Sequence, residues 1–316
     1  DALWQFDFVG HRAQSMLLAD VNGDGQSELL LSSLEPVSGP DELMVFNYGL
    51  GDILWKSTEE LGPVRAMAVS DIDKDGELDI TYASPKKRAS FDSIARRRSA
   101  ADITHQWTSD PFWLEDTLAS EGIGALAIAD VDNDNQPDMV IGTDDLYMAT
   151  VVAVDSITME NKFNTRLADG ARVSALAIAD VDLDGTLEIV AGIEGLTTAG
   201  IGSLIYILDA ETGSIEWESE TLILADKFFV KTESIRIDNL DDDSQAEIVI
   251  SAEKSIVKDG LTHEITTSSN EDYLGIALVS VDQSDTLSII AGHTDGRVSV
   301  LDTTNLNELS SSLSCK

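Results

Sequence analysis

Disulfide bonds cannot form within this chain, because its 316 residues include a single cysteine, Cys315. An oxidising compartment is still compatible with the sequence, since a bound metal can stabilise a fold in place of a disulfide. No apolar run approaches the ~18–20 residues that a membrane-spanning helix requires, so we expect no membrane insertion. The chain begins at Asp1 rather than Met, and we expect a processed product or a piece of a longer protein.

Positive charge is scarce: 20 Lys and Arg residues stand against 58 Asp and Glu residues, for a formal net charge of −38. Such a surface repels phosphate backbones, so we expect no nucleic-acid partner. The acidity has two explanations. Carboxylates scattered over a surface aid solubility, whereas carboxylates grouped in short loops are typical of metal ligands. Their positions in the sequence distinguish the two.

Sequence signatures of catalysis are missing as well. The chain holds no HExxH, GxSxG or P-loop motif, and Cys315 lies in a polar tail, a poor setting for a nucleophile. We therefore predict that the protein is not an enzyme. A catalytic site assembled from distant loops is the alternative that these absences leave open. The four histidines are scattered along the chain at His11, His105, His263 and His293.

What the chain does contain is an internal repeat. An apolar segment such as Ala125–Ala129 leads into each acidic segment, and a β-branched one such as Glu188–Ala191 leaves it, which predicts two strands joined by an acidic hairpin turn. A period near 50 residues indicates propeller blades or another repeat array. The acidic segments follow one another at intervals of 41 to 59 residues, and they begin at Asp20, Asp71, Asp130, Asp180, Asn239 and Ser280.

Two further strands follow most hairpins, such as a third strand at Leu43–Tyr48 and a fourth at Ile53–Ser57. Four antiparallel strands per ~50 residues make one propeller blade. The sequence therefore predicts an all-β fold, a single β-propeller over residues 1–316 with four-stranded antiparallel blades. The hairpin turn between the first and second strands of each blade is expected at 20–28, 71–79, 130–138, 180–188 and 239–247, with a degenerate one at 280–288.

Closure of the ring bears on the number of blades, because an unclosed ring exposes sheet edges. Trp4–Phe8 resembles a fourth strand and could pair into the last blade. However, Glu308–Leu313 is a second candidate for that position. Six blades are therefore favoured, and seven remain an alternative.

The acidic turns follow the pattern Asp-x-Asp-x-Asp-Gly-x-x-Asp/Glu, which predicts calcium binding. Ca²⁺ takes 6–8 oxygen ligands in flexible geometry. Side chains at loop positions 1, 3 and 5 converge, position 6 needs a positive φ that glycine adopts freely, position 7 offers a carbonyl, and position 9 adds a carboxylate. An EF-hand is excluded, because strands flank the loops and position 12 is Leu31 or Tyr82 rather than glutamate.

About five calcium sites are predicted, numbered here as loops 1 to 5. Asn135 replaces the glycine of loop 3, and Ser244 and Asn239 weaken loop 5. A sixth copy offers Ser280, Asp282, Ser284 and Ser288, and we expect a metal-free turn. The predicted ligands are Asp20, Asn22, Asp24, Gln26 and Glu28 in loop 1; Asp71, Asp73, Asp75, Glu77 and Asp79 in loop 2; Asp130, Asp132, Asp134, Gln136 and Asp138 in loop 3; Asp180, Asp182, Asp184, Thr186 and Glu188 in loop 4; and Asn239, Asp241, Asp243, Gln245 and Glu247 in loop 5.

Through loops such as Ala179–Gly185 (ADVDLDG), the chain resembles the FG-GAP/VCBS-type repeat family, the calcium-loop propellers that include the integrin α-subunit head. The resemblance implies that the loops bind calcium for structural reasons. It also implies a role of the kind that members of the family have, in adhesion, in ligand binding or as a module of an enzyme. Carried over to loop 2, it makes Asp71, Asp73, Asp75 and Asp79 side-chain ligands, and Glu77 a carbonyl ligand.

The expected function is a calcium-stabilised binding, adhesion or assembly module for a protein or glycan partner. Its expected location is extracellular, at the cell surface or periplasmic, where calcium is abundant. The alternative is a polysaccharide-acting lyase or hydrolase domain, in which Trp107, Phe112 and Trp113 stack on sugars. The basic segment 85–101, predicted as a long loop, holds six of the 20 basic residues and is a candidate for contact with an acidic partner or for self-assembly.

Overall fold

The fold consists of β-strands. The computed structural model contains 25 strands in the residues that it describes, and those residues include no helix and therefore none long and apolar enough to cross a membrane. The described residues are 12–34, 42–57, 64, 66–85, 93–99, 105–108, 123–143, 148–196, 205–220, 229–230, 234–241, 244–252, 255–269, 271, 273–280, 287–293 and 297–311.

Several predictions fall on residues outside these ranges and stay predictions. They concern the N-terminal strand Trp4–Phe8, the aromatic residues Phe112 and Trp113, the loop residues Asp243, Asp282 and Ser284, and the tail residue Cys315.

The strands of the first three sheets are β1 (Arg12–Ala19), β2 (Glu28–Leu34), β3 (Leu43–Asn47) and β4 (Ile53–Lys56) in sheet 1; β5 (Ala66–Ser70), β6 (Asp79–Pro85), β7 (Ser93–Ser99) and β8 (His105–Thr108) in sheet 2; and β9 (Ile123–Ala129), β10 (Asp138–Thr143), β11 (Met148–Asp155) and β12 (Asn161–Asp169) in sheet 3. In each sheet the strands lie side by side in chain order.

The remaining strands are β13 (Ala171–Ala179), β14 (Glu188–Leu196), β15 (Ile205–Asp209), β16 (Ile215–Glu218) and β17 (Phe229–Val230) in sheet 4; β18 (Ser234–Asp238), β19 (Glu247–Ser251), β20 (Ser255–Asp259) and β21 (Ile265–Ser269) in sheet 5; and β22 (Tyr273–Ser280), β23 (Leu287–His293), β24 (Val298–Leu301) and β25 (Glu308–Ser311) in sheet 6.

A uniform set of six four-stranded blades is not what the strands form. Five sheets have four strands each, and sheet 4 has five, because β17 pairs with β14. The reason is the length of β14: its residues 188–192 pair with β15, and its end extends past that partner. Gly195 and Leu196 there pair with Val230 and Phe229 of β17. The predicted strand at Glu308–Leu313 is present as β25, the fourth strand of sheet 6.

The prediction of a long basic loop at 85–101 is wrong for its second half. Residues 93–99 form β7, which pairs with β6 over seven residues, from Asp79 opposite Ser99 to Pro85 opposite Ser93. Backbone hydrogen bonding to an adjacent strand does not depend on side-chain charge, so the arginines of this segment do not prevent the strand. The basic composition of this segment favours a loop, but composition does not show that β6 provides a partner strand.

The burial of the strands follows their position in the sheet. Unlike β23 and β24 of sheet 6, where buried residues alternate with more exposed ones, the second strands β10 and β19 are buried at every residue. Such strands are continuous apolar runs such as EIVIS rather than alternating patterns. Fourth strands lie at the sheet edge and are mostly exposed, as in β4, β16 and β25. Apolar residues thus occupy the middle of each sheet.

Two compact units divide the chain, residues 1–145 with 152–162, and residues 146–151 with 163–316. In the first unit, one apolar cluster joins sheets 1 and 2 through residues such as Leu30 and Tyr82, and another includes residues of sheets 2 and 3. In the second unit, clusters join sheet 4 to sheet 5 and sheet 5 to sheet 6. Within each unit, successive sheets therefore pack face to face through their apolar residues.

Candidate metal-binding loops

The five acidic loops are the turns between the first and second strands of sheets 1 to 5, as the sequence predicted. In each one, loop position 9 pairs across the hairpin with the residue that precedes position 1. Position 9 is therefore held by the last rung of the ladder. These pairs are Ala19 with Glu28, Ser70 with Asp79, Ala129 with Asp138, Ala179 with Glu188, and Asp238 with Glu247.

The backbone at position 6 has the predicted positive φ, 92° at Gly76 and 94° at Gly185. Asn135 of loop 3 also adopts it, at 68°, as asparagine does more readily than most residues. Position 4 is left-handed too, which the sequence analysis did not foresee. Leu183 takes a φ of 61° there, a conformation that is unfavourable for a branched side chain. Gly23 at the same position of loop 1 was the available signal.

Side-chain carboxylates organise the loop backbone. The position 1 carboxylate of loop 2, Asp71, accepts hydrogen bonds from the amides of Asp75 and Gly76, both at 3.0 Å. The position 5 carboxylate accepts the amide of position 7 at 2.8 Å, as Asp75 does from Glu77. The same position 5 contact recurs in loops 1, 3 and 4. Each loop is thus folded by the residues that were predicted as ligands.

Position 9 carries a buried carboxylate in all five loops, with at most 3% of the residue exposed. One of its oxygens accepts the amide of position 2, over 2.7 Å from Val181 to Glu188 and 2.6 Å from Leu240 to Glu247. Burial, and then the neighbouring Asp182, raise the pKa of Glu188 to about 7. Burial also raises the pKa of Glu28. A carboxylate at this position needs a compensating cation to be stable in its charged form.

Three loops bring carboxylates together as metal ligands require. The cluster oxygens all lie within 4.8 Å of one another, and they come from Asp71, Asp73 and Asp79 in loop 2; Asp130, Asp132 and Asp138 in loop 3; and Asp180, Asp182 and Glu188 in loop 4. These are positions 1, 3 and 9. Position 5 lies outside the clusters, where it binds the backbone of position 7.

The donor set of loop 4 fits a hard divalent cation. Asp180 Oδ1 is buried without a hydrogen bond, while its Oδ2 accepts the Gly185 amide at 3.1 Å. The Glu216 carboxylate on β16 interacts electrostatically with this loop. Partial burial, and then the negative charges of Asp209, Asp182 and Asp184, raise the pKa of Glu216. Among the described residues, no lysine or arginine forms an ion pair with the carboxylates of loop 4.

Loop 3 has a different neighbour. The Nζ atom of Lys162, on β12, contacts Asp132 Oδ2 and lies 2.9 Å from Asp138 Oδ1 and 4.0 Å from Asp134 Oδ2. The sequence analysis missed this residue, because it lies 30 positions from Asp132 on a strand that carries no acidic pattern.

Loops 1 and 5 keep the hairpin strands and the buried position 9 carboxylate, but their patterns contain fewer carboxylates. In loop 1, the Asn22 amide group donates to Glu28 Oε1 at 3.3 Å. In loop 5, the Leu240 amide donates to the Glu247 carboxylate, which is the same contact between positions 2 and 9 as in loop 4. Asp243 lies outside the described residues. In the sixth copy, the strand pairing continues one residue pair further into the turn than in loops 1 to 5, to Ser280 opposite Leu287. Residues 281–286 of its turn are outside the described part.

In loops 2 and 4, position 2 connects the sheet to the next one within the same compact unit. The Ile72 carbonyl accepts hydrogen bonds from Gln136 Nε2 at 2.8 Å and from Ser156 Oγ at 3.4 Å, both in sheet 3. In sheet 5, Gly260 lies against the Val181 carbonyl of loop 4, which a Cβ atom would approach to 2.4 Å. Small residues directly after the third strand therefore contact the loop of the preceding sheet. Their position after a predicted third strand is a signal in the sequence.

His263 and His293 both pack against aromatic side chains. His293 is buried, its Nε2 lies 2.8 Å from Ser299 Oγ, and its ring meets the edge of Tyr273 at 5.0 Å. The His263 ring stacks on Trp217 at 4.7 Å. Both contacts are typical of side chains that pack within or between sheets.

Solved structures identify the fold. The chain is similar to BBS1N, solved in complex with ARL6DN (TM-score 0.64, 12% identity, 95% of this chain and 82% of that chain). It is similar to the Dos1 propeller (TM-score 0.62, 14% identity, 97% and 73%) and to rhamnogalacturonan lyase PL11 of Bacillus licheniformis (TM-score 0.54, 15% identity, 96% and 58%). Identities this low show the fold alone.

The protein is therefore an all-β propeller built from four-stranded antiparallel blades, one of them extended by β17. No protein-family model and no curated protein matches the sequence. The resemblance to FG-GAP/VCBS-type repeats accordingly stays a prediction.

Proposed function

We propose that the protein is a calcium-stabilised β-propeller of the FG-GAP/VCBS type, a binding module that presents its loops to a protein or glycan partner. Loops 2 and 4 are the calcium sites on which the proposal depends. It also places the protein outside the cytosol, in an extracellular, cell-surface or periplasmic setting.

One observation carries the proposal: the same hairpin loop recurs in register, and in loops 2 and 4 it gathers carboxylate oxygens of positions 1, 3 and 9 within 4.8 Å. Three carboxylates at that separation repel one another in the absence of a cation. Oxygen ligands on a flexible loop are what Ca²⁺ prefers, whereas Zn²⁺ favours nitrogen and sulfur ligands. The ion would be held by Asp71, Asp73 and Asp79 in loop 2, and by Asp180, Asp182 and Glu188 in loop 4.

Calcium at these loops would stabilise the fold rather than act on a substrate. Extracellular calcium modules bind with a Kd of ~10⁻⁴–10⁻³ M. With free calcium near ten times the Kd, each site adds roughly 1.4 kcal/mol to the free energy of unfolding. Sites of this affinity stay empty at cytosolic calcium levels, which supports the proposed location.

Calcium titration of the metal-stripped protein by calorimetry tests the proposal. We expect saturable binding with a Kd of ~10⁻⁴–10⁻³ M, and we expect Asp73→Asn and Asp182→Asn each to remove one site. Glu77→Gln is the matched control, because position 7 offers only its carbonyl and the variant should bind as the wild type does. Absence of binding, or the same stoichiometry in all variants, would contradict the proposal.

A second candidate function is action on a polysaccharide. It is favoured by the similarity to PL11, which is named as a rhamnogalacturonan lyase. The chain spans 58% of the length of that protein, so a large part of the enzyme has no counterpart here. Incubation with rhamnogalacturonan and related acidic polysaccharides, with detection of unsaturated products, separates the candidates. Turnover supports the enzyme, whereas calcium-dependent retention on a glycan array without turnover supports the binding module.

A further inference from the structure

Loop 3 holds a cation that belongs to the chain itself. The Lys162 ammonium lies among the carboxylates of positions 3, 5 and 9, in contact with Asp132 and 2.9 Å from Asp138 Oδ1. We propose that Lys162 is the resident cation of loop 3 and excludes calcium from it. This inference rests on the proposed function of loops 2 and 4 as calcium sites.

The contacts of Lys162 are those of a buried, charge-paired ammonium. An ammonium is a compact point charge with three donors, and the Lys162 side chain is only 16% exposed while that of Asp138 is fully buried. A lysine ammonium is charged at physiological pH, and the contacts to Asp132 and Asp138 pair that charge.

A single position of the fourth strand determines this difference between blades. In the five blades other than sheet 2, an amide at the end of the third strand, or directly after it in sheet 6, donates to a carbonyl just before the fourth strand. These carbonyls belong to Asp52, Glu160, Ser214, Glu264 and Asn307. Two residues further along stand Leu54 in sheet 1, Lys162 in sheet 3, Glu216 in sheet 4, Thr266 in sheet 5 and Leu309 in sheet 6. Lysine occurs at this position only in sheet 3 among these five sheets.

The same position gives loops 3 and 4 opposite character. In loop 4, Glu216 adds a carboxylate beside Asp182 and Asp184, which increases the attraction for a divalent ion. In loop 3, the lysine neutralises charge and contacts Asp132 and Asp138, two of the three clustered carboxylates. Calcium must displace a tethered competitor, and its apparent Kd rises by the inverse of the fraction of time that the lysine is away. A lysine bound 90–99% of the time weakens calcium binding about 10- to 100-fold.

The experiment compares calcium stoichiometry in the full chain as wild type, Lys162→Met and Lys56→Met. Lys56→Met is the matched control, because Lys56 is also a fourth-strand lysine but pairs with Glu42 rather than with a loop. We expect Lys162→Met to bind one calcium ion more than the wild type, and Asp130→Asn, at position 1 of the cluster, added to it to weaken the new site. With chelator, Lys162→Met should melt below the wild type, and calcium should reverse that loss.

The outcomes separate the two proposals. If the wild type binds calcium and Lys162→Met gains no site, the lysine is not a competitor and this inference is overturned, while the proposed function stands. If neither protein binds calcium, the proposed function fails. Lys162→Thr, which copies sheet 5, replaces Lys162→Met if that variant does not fold. Crystals of the wild type soaked in a lanthanide provide a readout without mutation: density is expected at loops 2 and 4, and density at loop 3 overturns the inference.

Discussion

At the residue scale, the loops concentrate two unfavourable features, left-handed backbone and buried charge. Lys74 and Leu183 take positive φ without being glycine, at a cost of roughly 1–2 kcal/mol each. Glu188 is buried beside Asp182, with its pKa raised to about 7. Such features are retained where the loop has to surround an ion, because a cation compensates both the charge repulsion and the constrained backbone.

Replacement of Glu188 by Gln should have opposite effects with and without calcium. Because the folded-state pKa of Glu188 is about 7 against an ordinary 4.5, its contribution to stability is full below pH ~4.5 and is lost as the pH rises through ~7. At about pH 8 in chelator, the uncharged amide should therefore raise the free energy of unfolding by up to about 3 kcal/mol.

Calcium should stabilise the wild type and not this variant at loop 4. Chemical denaturation at about pH 8, with chelator and with calcium, measures both effects. Glu211→Gln, in an exposed turn, is the control and should change neither. A variant that is less stable than the wild type in chelator would contradict the account of Glu188 as an uncompensated buried charge.

At the element scale, loops 2, 4 and 5 are also contacts between neighbouring sheets. The Ile72 carbonyl binds Gln136 and Ser156 of sheet 3, and the Leu240 carbonyl accepts a hydrogen bond from Thr303 of sheet 6 at 3.4 Å. A loop that is ordered by calcium therefore fixes the edge against which the next blade packs. This is why ions at the ends of hairpins can stabilise more than their own turns.

Replacement of Gly260 by Ala tests that contact. A Cβ atom there would lie 2.4 Å from the carbonyl oxygens of both Val181 and Ala246, and neither backbone can move without disturbing loop 4 or β19. We expect a loss of about 1–3 kcal/mol in the free energy of unfolding and weaker calcium binding at loop 4. Gly275→Ala is the control, since a Cβ atom at Gly275 meets nothing within 4 Å. Equal melting temperatures for the two variants would show that the loop does not press on sheet 5.

At the scale of the whole molecule, the proposed calcium ions would counteract the net charge. A formal net charge of −38 opposes compaction through self-repulsion, and the single cysteine leaves the chain without internal disulfides. Bound cations are the remaining means of lowering that repulsion, apart from the chain's own lysines and arginines.

Chelation should therefore lower the stability of the entire protein. With only loops 2 and 4 occupied, removal of calcium costs about 3 kcal/mol at free calcium near ten times the Kd. Calorimetric melting in millimolar calcium, in chelator, and in chelator with excess magnesium measures the effect. Calcium alone is expected to restore the higher melting temperature, and a melting temperature indifferent to chelator would contradict the stabilising role.

The strands and the loops were predictable because their determinants are local. The spacing of Asp71, Asp73 and Asp79 within nine residues, and the apolar segments on either side, are sufficient to predict a hairpin with a cluster of carboxylates. The class of fold follows from repetition of that unit. Position 5 differs, since Asp75 and Asp184 accept hydrogen bonds from the position 7 amides, and a pattern of residue types does not show which donor a carboxylate binds. Their role as calcium ligands stays a prediction.

The sequence by itself determined the all-β repeat, the hairpin turns and the grouping of the carboxylates, because neighbouring residues decide all three. Only the tertiary structure decided which distant side chains meet the loops. Lys162 reaches loop 3 across 30 residues, and Gln136 reaches the Ile72 carbonyl across 64. These contacts depend on which strands lie side by side and which sheets pack together, and charges separated by such distances in sequence leave no periodic signal.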